Sequence, residues 1–197
     1  MNAAHRKRRE GPDWSGLFTV AQSQGGYFTT AQAARSGYSL PLLHKYLANG
    51  KVARVRRGVY RLVHFPSSEH EDLIVLWLWA EQAGVFSHET ALALHDLSDA
   101  LPAKIHMTAP ANWRRRRLRV PAGLVMHFAD IKDADRSSFS AVPVTTPRRT
   151  LRDCIDAKVA PRLLHQAILQ ARQRGLISQK DEGQLSSDIR RASMSTP

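Results

Sequence analysis

Apolar residues at helical spacing (Leu17, Val20 and Ala21) predict a short helix over residues 14–23. Gly25-Gly26 ends it, because glycine enters the left-handed conformation of a helix terminus without steric cost. Thr29 or Thr30 caps a second helix over residues 31–35, and Gly37 stops it. Ser39 caps a third helix, with Pro41 tolerated in the first turn. Its spacing turns Leu40, Leu43 and Leu47 to the core and leaves Leu42, Lys45 and Asn49 in solvent. Two β-branched runs within residues 51–62 flank Arg57-Gly58 and predict a hairpin. Alternation along it puts Arg54 and Arg56 on one face and Val55 on the other. Helix, helix, short glycine-containing turn, helix and hairpin is the order of a winged helix-turn-helix.

Residues 64–69 read as a linker. After it the pattern predicts an apolar helix over residues 73–82 and another over residues 85–97, with Ser87 as cap. Strands follow over residues 104–108, 123–127 and 141–145. Thr146 caps a helix opened by Pro147, and residues 162–174 and 179–191 form two further helices. The expected fold class is therefore α+β, an N-terminal winged helix-turn-helix followed by a mixed α/β domain. The expected segments are a disordered basic arm (1–12), the winged domain (13–64), the α+β domain (69–191) and a disordered tail (192–197). No internal repeat is present.

Charge sharpens this division. The chain has 197 residues and a net charge of +12. The first 66 residues carry eleven Lys/Arg against Glu10 and Asp13, while the remainder carries eighteen against fifteen acidic residues. Between Asp13 and Glu69 there is no acidic residue, yet this stretch holds Arg35, Lys45, Lys51, Arg54, Arg56, Arg57 and Arg61. One-sided positive charge is the electrostatic footprint of a surface that meets phosphates. The apolar run at residues 73–80 is far shorter than the roughly 20 residues a membrane span needs, so no membrane partner is expected. The polar, basic start lacks an apolar signal-peptide region, which leaves the cytoplasm as the expected compartment. The single Cys154 excludes an internal disulfide and the usual cysteine-based zinc sites.

A recognition helix presents its N-terminal residues to base edges in the major groove. Here these are Ser39, Leu42 and Lys45, with His44 and Tyr46 at the margin and Thr29 and Thr30 at the preceding helix start. In the wing, Arg54, Arg56, Arg57 and Arg61 suit phosphate or minor-groove contacts, with Arg57 at the tip. The alternatives at this point are a three-helix protein-binding module and an RNA-binding module. Arg114, Arg115, Arg116, Arg117 and Arg119 form the densest charge run. It reads as a second nucleic-acid contact, or equally as a solvated loop or a dock for an acidic protein.

Catalytic chemistry is poorly represented. His88-Glu89 lacks the second histidine that a zinc-protease helix requires. His106 and His127 fall on separate strands that can be neighbours, but no carboxylate or cysteine stands at ligand spacing, so neither a metal nor a cofactor is expected. Asp130, Asp133 and Asp135 read as a polar turn, and Arg149 with Asp153 as an intrahelical clamp. No glycine loop suited to cradling phosphates is present. The chain is expected not to be an enzyme.

The chain resembles the AbiEi family of antitoxins from bacterial type IV toxin–antitoxin systems. The resemblance rests on Gly26-Tyr27-Phe28-Thr29-Thr30-Ala31-Gln32-Ala33-Ala34 and Val55-Arg56-Arg57-Gly58-Val59-Tyr60-Arg61 in the first part. In the second it rests on Phe86-Ser87-His88-Glu89-Thr90-Ala91-Leu92, Ile105-His106-Met107-Thr108-Ala109-Pro110 and Val144-Thr145-Thr146-Pro147-Arg148-Arg149-Thr150-Leu151-Arg152-Asp153. It implies a repressor that binds inverted repeats of double-stranded DNA in its own promoter and counters a nucleotidyltransferase-like toxin. By position, the DNA-binding role falls on Lys45, Arg54, Arg56 and Arg57, and the antitoxin role on the second domain as a whole. A monomer that binds DNA cooperatively is the expected state. Residues 1–12 and the arginine run at 114–119 depart from the family pattern.

Overall fold

The computed structural model describes residues 11–67, 69–99 and 101–194. The chain divides into two compact units, Met1–Gln82 and Ala83–Pro197. Of the expected terminal segments, residues 1–10 and 195–197 lie outside the described residues.

In the first unit, α1 (Trp14–Gln22) starts at Asp13, whose Oδ1 accepts from the Gly16 amide at 2.8 Å. It satisfies one of the orphan donors of the helix start. The chain then enters β1 (Tyr27–Thr29) through Gly25 and Gly26. Gly26 has φ +87°, and a Cβ there would lie 2.5 Å from the Phe65 side chain, so both conformation and space demand glycine. Thr29 caps α2 (Thr30–Arg35) in a reciprocal capping box: its side chain accepts from the Gln32 amide, and the Gln32 side chain accepts from the Thr29 amide. Ser39 caps α3 (Leu40–Ala48), as its hydroxyl and the following proline predict.

The strands β2 (Val52–Arg56) and β3 (Val59–Leu62) complete an antiparallel sheet in the order β1-β3-β2. Its register opposes Phe28 to Tyr60 and Tyr27 to Arg61. Phe28 and Tyr60 stack 5.8 Å apart within a core that includes Leu17, Ala21, Leu43, Val52 and Leu62. The other face carries Tyr27, Val59 and Arg61, and here α4 (Glu71–Trp79) packs against β1 and β3. The apolar helix expected to open the second domain thus belongs with the first unit, because the sheet has two faces to cover.

In α3 the facing differs from the expectation. Leu43 is buried and Leu47 packs on the core, but Leu40 is 57 % exposed and Leu42 packs on the core in its place. Leu40 is the first helical residue after the Ser39 cap, where helical spacing holds least well.

The second unit contains β4 (Val85–Phe86), α5 (His88–Leu94), β5 (Ile105–Ala109), β6 (Leu124–Phe128), β7 (Arg136–Phe139) and β8 (Val142–Thr145). The helices α6 (Pro147–Asp156), α7 (Pro161–Gln173) and α8 (Gln179–Met194) follow. The strands form a five-stranded mixed sheet, β6-β5-β4-β8-β7, with β5/β6 and β4/β8 parallel. Leu92 of α5 joins Leu151, Cys154, Ile168, Leu185 and Ile189 of the later helices in one core. The fold class is α+β, as expected.

Three boundaries differ from the sequence reading. Val85 and Phe86 are a strand, and the helix begins only at His88. Too short to show alternation, this buried pair reads as the first turn of the apolar helix that follows. The edge strand β7 is polar at three of its four positions (Arg136-Ser137-Ser138-Phe139), half exposed, and gives no apolar signature. Finally, α8 continues to Met194, past the expected start of the tail.

Candidate nucleic-acid interface

Along α3 the residues turned outward are Ser39, Leu40, Pro41, His44, Lys45 and Ala48. Ser39 is exposed, but its hydroxyl accepts from the Leu42 amide at 3.4 Å and is partly committed to the cap. Leu42 and Tyr46 are not free readers. Leu42 packs on the core. Tyr46 stacks on Trp14 at 6.0 Å, meets the Tyr38 ring edge-on at 5.5 Å, and has the Lys51 ammonium 5.2 Å from its centroid. This aromatic cluster anchors α3 to α1 and fixes the direction in which His44 and Lys45 project.

The hairpin β2–β3 forms the wing. Arg54 pairs with Tyr60 and Arg56 with Val59, so Val55 is the extra residue of a β-bulge. The bulge changes the parity of the strand. Arg54 lies on the face of Tyr60, and Arg56 on the opposite face with Val59, contrary to the simple alternation expected. Arg54, Val55, Arg56 and Arg57 are all exposed, and Gly58 closes the tip at φ +79°. The wing therefore spreads its cations to both sides and the tip.

Arg61 does not join them. Its guanidinium donates to the Phe65 carbonyl at 2.8 Å and pairs with Glu71 at 3.4 Å. It also lies over the Tyr27 ring, 5.7 Å from its centroid. The Tyr27 hydroxyl donates to the same carboxylate at 2.8 Å. Burial, then the Glu71 carboxylate, pushes the Tyr27 pKa up to about 12. Arg61 thus binds α4 to the sheet. The sequence did not show this, because its acidic partner is ten residues away beyond the linker.

Thr29 and Thr30 are likewise structural. The first is the α2 cap, and the Thr30 hydroxyl donates to the Gly58 carbonyl at 3.4 Å, tying the helix start to the wing tip. Arg35, at the end of α2, lines the same cleft as Arg57 and was not singled out as a site residue. Its signal was its place in the acid-free stretch. Among the described residues, no acidic side chain pairs with Lys45, Arg54, Arg56 or Arg57.

In the second unit, a 3₁₀ turn (Ala111–Arg115) opens the arginine run. Trp113 is buried, and the Arg116 guanidinium lies 4.0 Å from its ring centroid. Arg114 donates to the Phe128 carbonyl at 3.4 Å. Arg115, Arg117 and Arg119 are exposed. Asp130 accepts from the Ala111 amide at 3.1 Å, so this member of the aspartate cluster supports a turn. Arg149 bridges Asp153 at 2.7 Å and Asp135 at 3.3 Å, the clamp expected at α6 with one more partner.

One constellation escaped the sequence reading. His88, His106 and His127 come together, each offering a ring nitrogen within 4.8 Å of the others. His88 stands at the start of α5, while His106 and His127 stand on the adjacent parallel strands β5 and β6. The sequence reading allowed His106 and His127 to be neighbours but set them aside for want of a carboxylate or cysteine, and the distance of His88 along the chain hid the third member. Burial, followed by the neighbouring imidazoles and Arg149, pushes the His88 pKa down to about 3. Burial also lowers those of His106, against the pull of Glu89, and His127.

Residues 17–63 match the model of a family described as transcriptional regulator, AbiEi antitoxin. The matched segment covers α1 through the wing. Among solved structures, that of the RV2827C protein from Mycobacterium tuberculosis is similar, with a TM-score of 0.49 and 14 % identity. The similarity covers 91 % of this chain and 73 % of that one. No curated protein matches the chain. No helix among the described residues is long and apolar enough to cross a membrane.

Proposed function

We propose that the first unit is the DNA-binding domain of a transcriptional repressor, and that the whole chain is a self-regulating antitoxin of a type IV system. The observation that carries the reading is the set of Lys45, Arg54, Arg56 and Arg57, exposed and without acidic partners among the described residues, on one helix and the hairpin after it. The family match over α1 to the wing supports it. In this reading α3 lies in a major groove, where His44 and Lys45 face base edges. Arg54, Arg56 and Arg57 grip the flanking phosphates. The protein acts in the cytoplasm without catalysing a reaction, as a monomer that binds inverted repeats cooperatively. The second unit opposes a nucleotidyltransferase-like toxin.

The wing supplies affinity, since phosphate contacts carry no sequence information, while α3 supplies discrimination. Fluorescence anisotropy with promoter DNA, shuffled DNA and RNA of equal length, each at two salt concentrations, tests this. Three phosphate contacts give a slope of log K against log salt of about −3. Arg57→Ala should make that slope shallower by about 1 on every DNA, whereas Lys45→Ala should narrow the gap between promoter and shuffled DNA. Equal binding of promoter and shuffled DNA at moderate salt overturns the repressor. Tighter binding to RNA replaces it with an RNA-binding module, and no binding to either leaves a protein-interaction antitoxin.

A further inference from the structure

We propose that His88, His106 and His127 bind a single divalent transition-metal ion of the zinc class, with Glu89 and Ser87 orienting the ligands. The first support is spacing. His106 Nδ1 and His127 Nε2 are 3.1 Å apart. Two imidazole nitrogens bound to one tetrahedral ion at about 2.0–2.1 Å stand roughly 3.3–3.4 Å apart, so small ring rotations suffice. The His88 ring stacks on that of His127, 3.6 Å between centroids and 14° between planes, so one of these two rings must turn for both to point at one ion.

The second support is what holds the opposite nitrogens. With Nδ1 directed at the metal, His106 presents Nε2 to the Glu89 carboxylate at 3.5 Å. His88 Nδ1 is 2.9 Å from Ser87 Oγ, which is 2.7 Å from Thr108 Oγ1, leaving Nε2 as the ligand atom. A metal-binding histidine commonly donates its other N–H to a carboxylate or other oxygen, which fixes its tautomer and orientation. Two of the three rings have such a partner in place. The His106 amide also donates to Thr90 Oγ1 at 2.8 Å, which ties β5 to α5 and holds two of the ligand-bearing elements together.

The third support is the backbone conformation of one ligand. His88 adopts φ +54°, a left-handed conformation unfavourable for a residue with a side chain. Such strain clusters where a side chain must be aimed. Of the two cations on the open side, Arg149 is paired with Asp135 and Asp153, and Arg114 donates to the Phe128 carbonyl. The cleft beside His88 and His127, lined also by Thr108, Met126 and Arg114, leaves room for water as a fourth ligand. An all-imidazole donor set favours zinc, copper or nickel over magnesium and calcium.

The test uses the full chain stripped with chelator. Calorimetric titration with zinc chloride should show one equivalent bound, and cobalt(II) should give the intense visible band of a tetrahedral centre. His106→Asn and His127→Asn should each weaken binding at least 100-fold and abolish the band. Glu89→Gln should weaken it about 10–100-fold, the usual effect of removing a supporting partner. His64→Asn and His165→Asn, at exposed positions, should leave zinc binding unchanged. Circular dichroism checks the fold of each variant, and Glu89→Gln serves if the histidine variants fail to fold. Zinc binding weaker than millimolar in the wild type overturns the site. So does undiminished binding in folded His106→Asn, His127→Asn and Glu89→Gln proteins, which would assign the metal to scattered surface histidines.

Discussion

At the scale of single residues, the same side chain means different things according to its neighbours. Arg57 and Arg61 stand four apart in one hairpin, yet Arg57 is free at the tip and Arg61 is held by Phe65 and Glu71. Arg61→Ala should therefore act on stability. It removes a half-buried ion pair and a cation–π contact, together worth about 1 kcal/mol in urea unfolding of the first unit. The salt slope of DNA binding should stay at its wild-type value. A slope reduced as much as in Arg57→Ala would return Arg61 to the phosphate-facing set. Of the candidate reader residues, Ser39 and Lys45, to which cap and charge pointed, are exposed, whereas Leu42 and Tyr46 pack and hold α3 in place.

At the scale of elements, the turns decide how the reader is aimed. Gly26 and Gly50 both have positive φ, +87° and +66°, but they differ in surroundings. An alanine at Gly50 meets nothing within 4 Å, so Gly50→Ala should cost only the backbone term of about 1–2 kcal/mol. An alanine at Gly26 also collides with Phe65, and overpacking adds roughly 1–3 kcal/mol. Gly26→Ala should thus be clearly the less stable in thermal unfolding, and equal losses would mean that Phe65 swings aside freely. The bulge at Val55 is a second device of this kind. It places Arg54 and Arg56 on opposite faces, a result that no reading of a strict period of two can give. The capped helices α2, α3 and α6 were legible because capping is local chemistry, and α1 because its apolar residues recur at helical spacing. The strands β4 and β7 were not, since one is too short and the other too polar to show a period.

At the scale of the whole molecule, the two units respond to different conditions. In the first unit, Lys45, Arg54, Arg56 and Arg57 have no acidic partner among the described residues, so the proposed DNA binding should depend on salt. The second holds buried neutral histidines, so pH governs its stability. His88 has a folded pKa of about 3 against an ordinary 6.5, with burial as the main cause. Between these values the unfolded chain takes up a proton that the folded chain refuses, so stability is full above pH 6.5 and falls as pH drops toward 3. The loss is about 1.4 kcal/mol per pH unit from His88 alone. His95, His106 and His127 are shifted the same way. With chelator present, the urea midpoint of the second unit should fall between pH 7 and pH 5, and His88→Asn should flatten that dependence. A midpoint that holds or rises on acidification would contradict the buried neutral imidazoles.

The sequence by itself determined the first three helices and the hairpin of the first unit, the starts of the helices whose caps it named at Thr29, Ser39 and Thr146, and the concentration of positive charge ahead of Glu69. These follow from local rules: which residues cap, which turn, and which sign of charge lies nearby in the chain. Tertiary structure alone decided which cations remain free, which face of the wing each occupies, and that three distant histidines meet. Those outcomes depend on partners brought close by packing, as with Arg61 and Glu71 or His88 and His127, and packing joins residues that no local pattern relates.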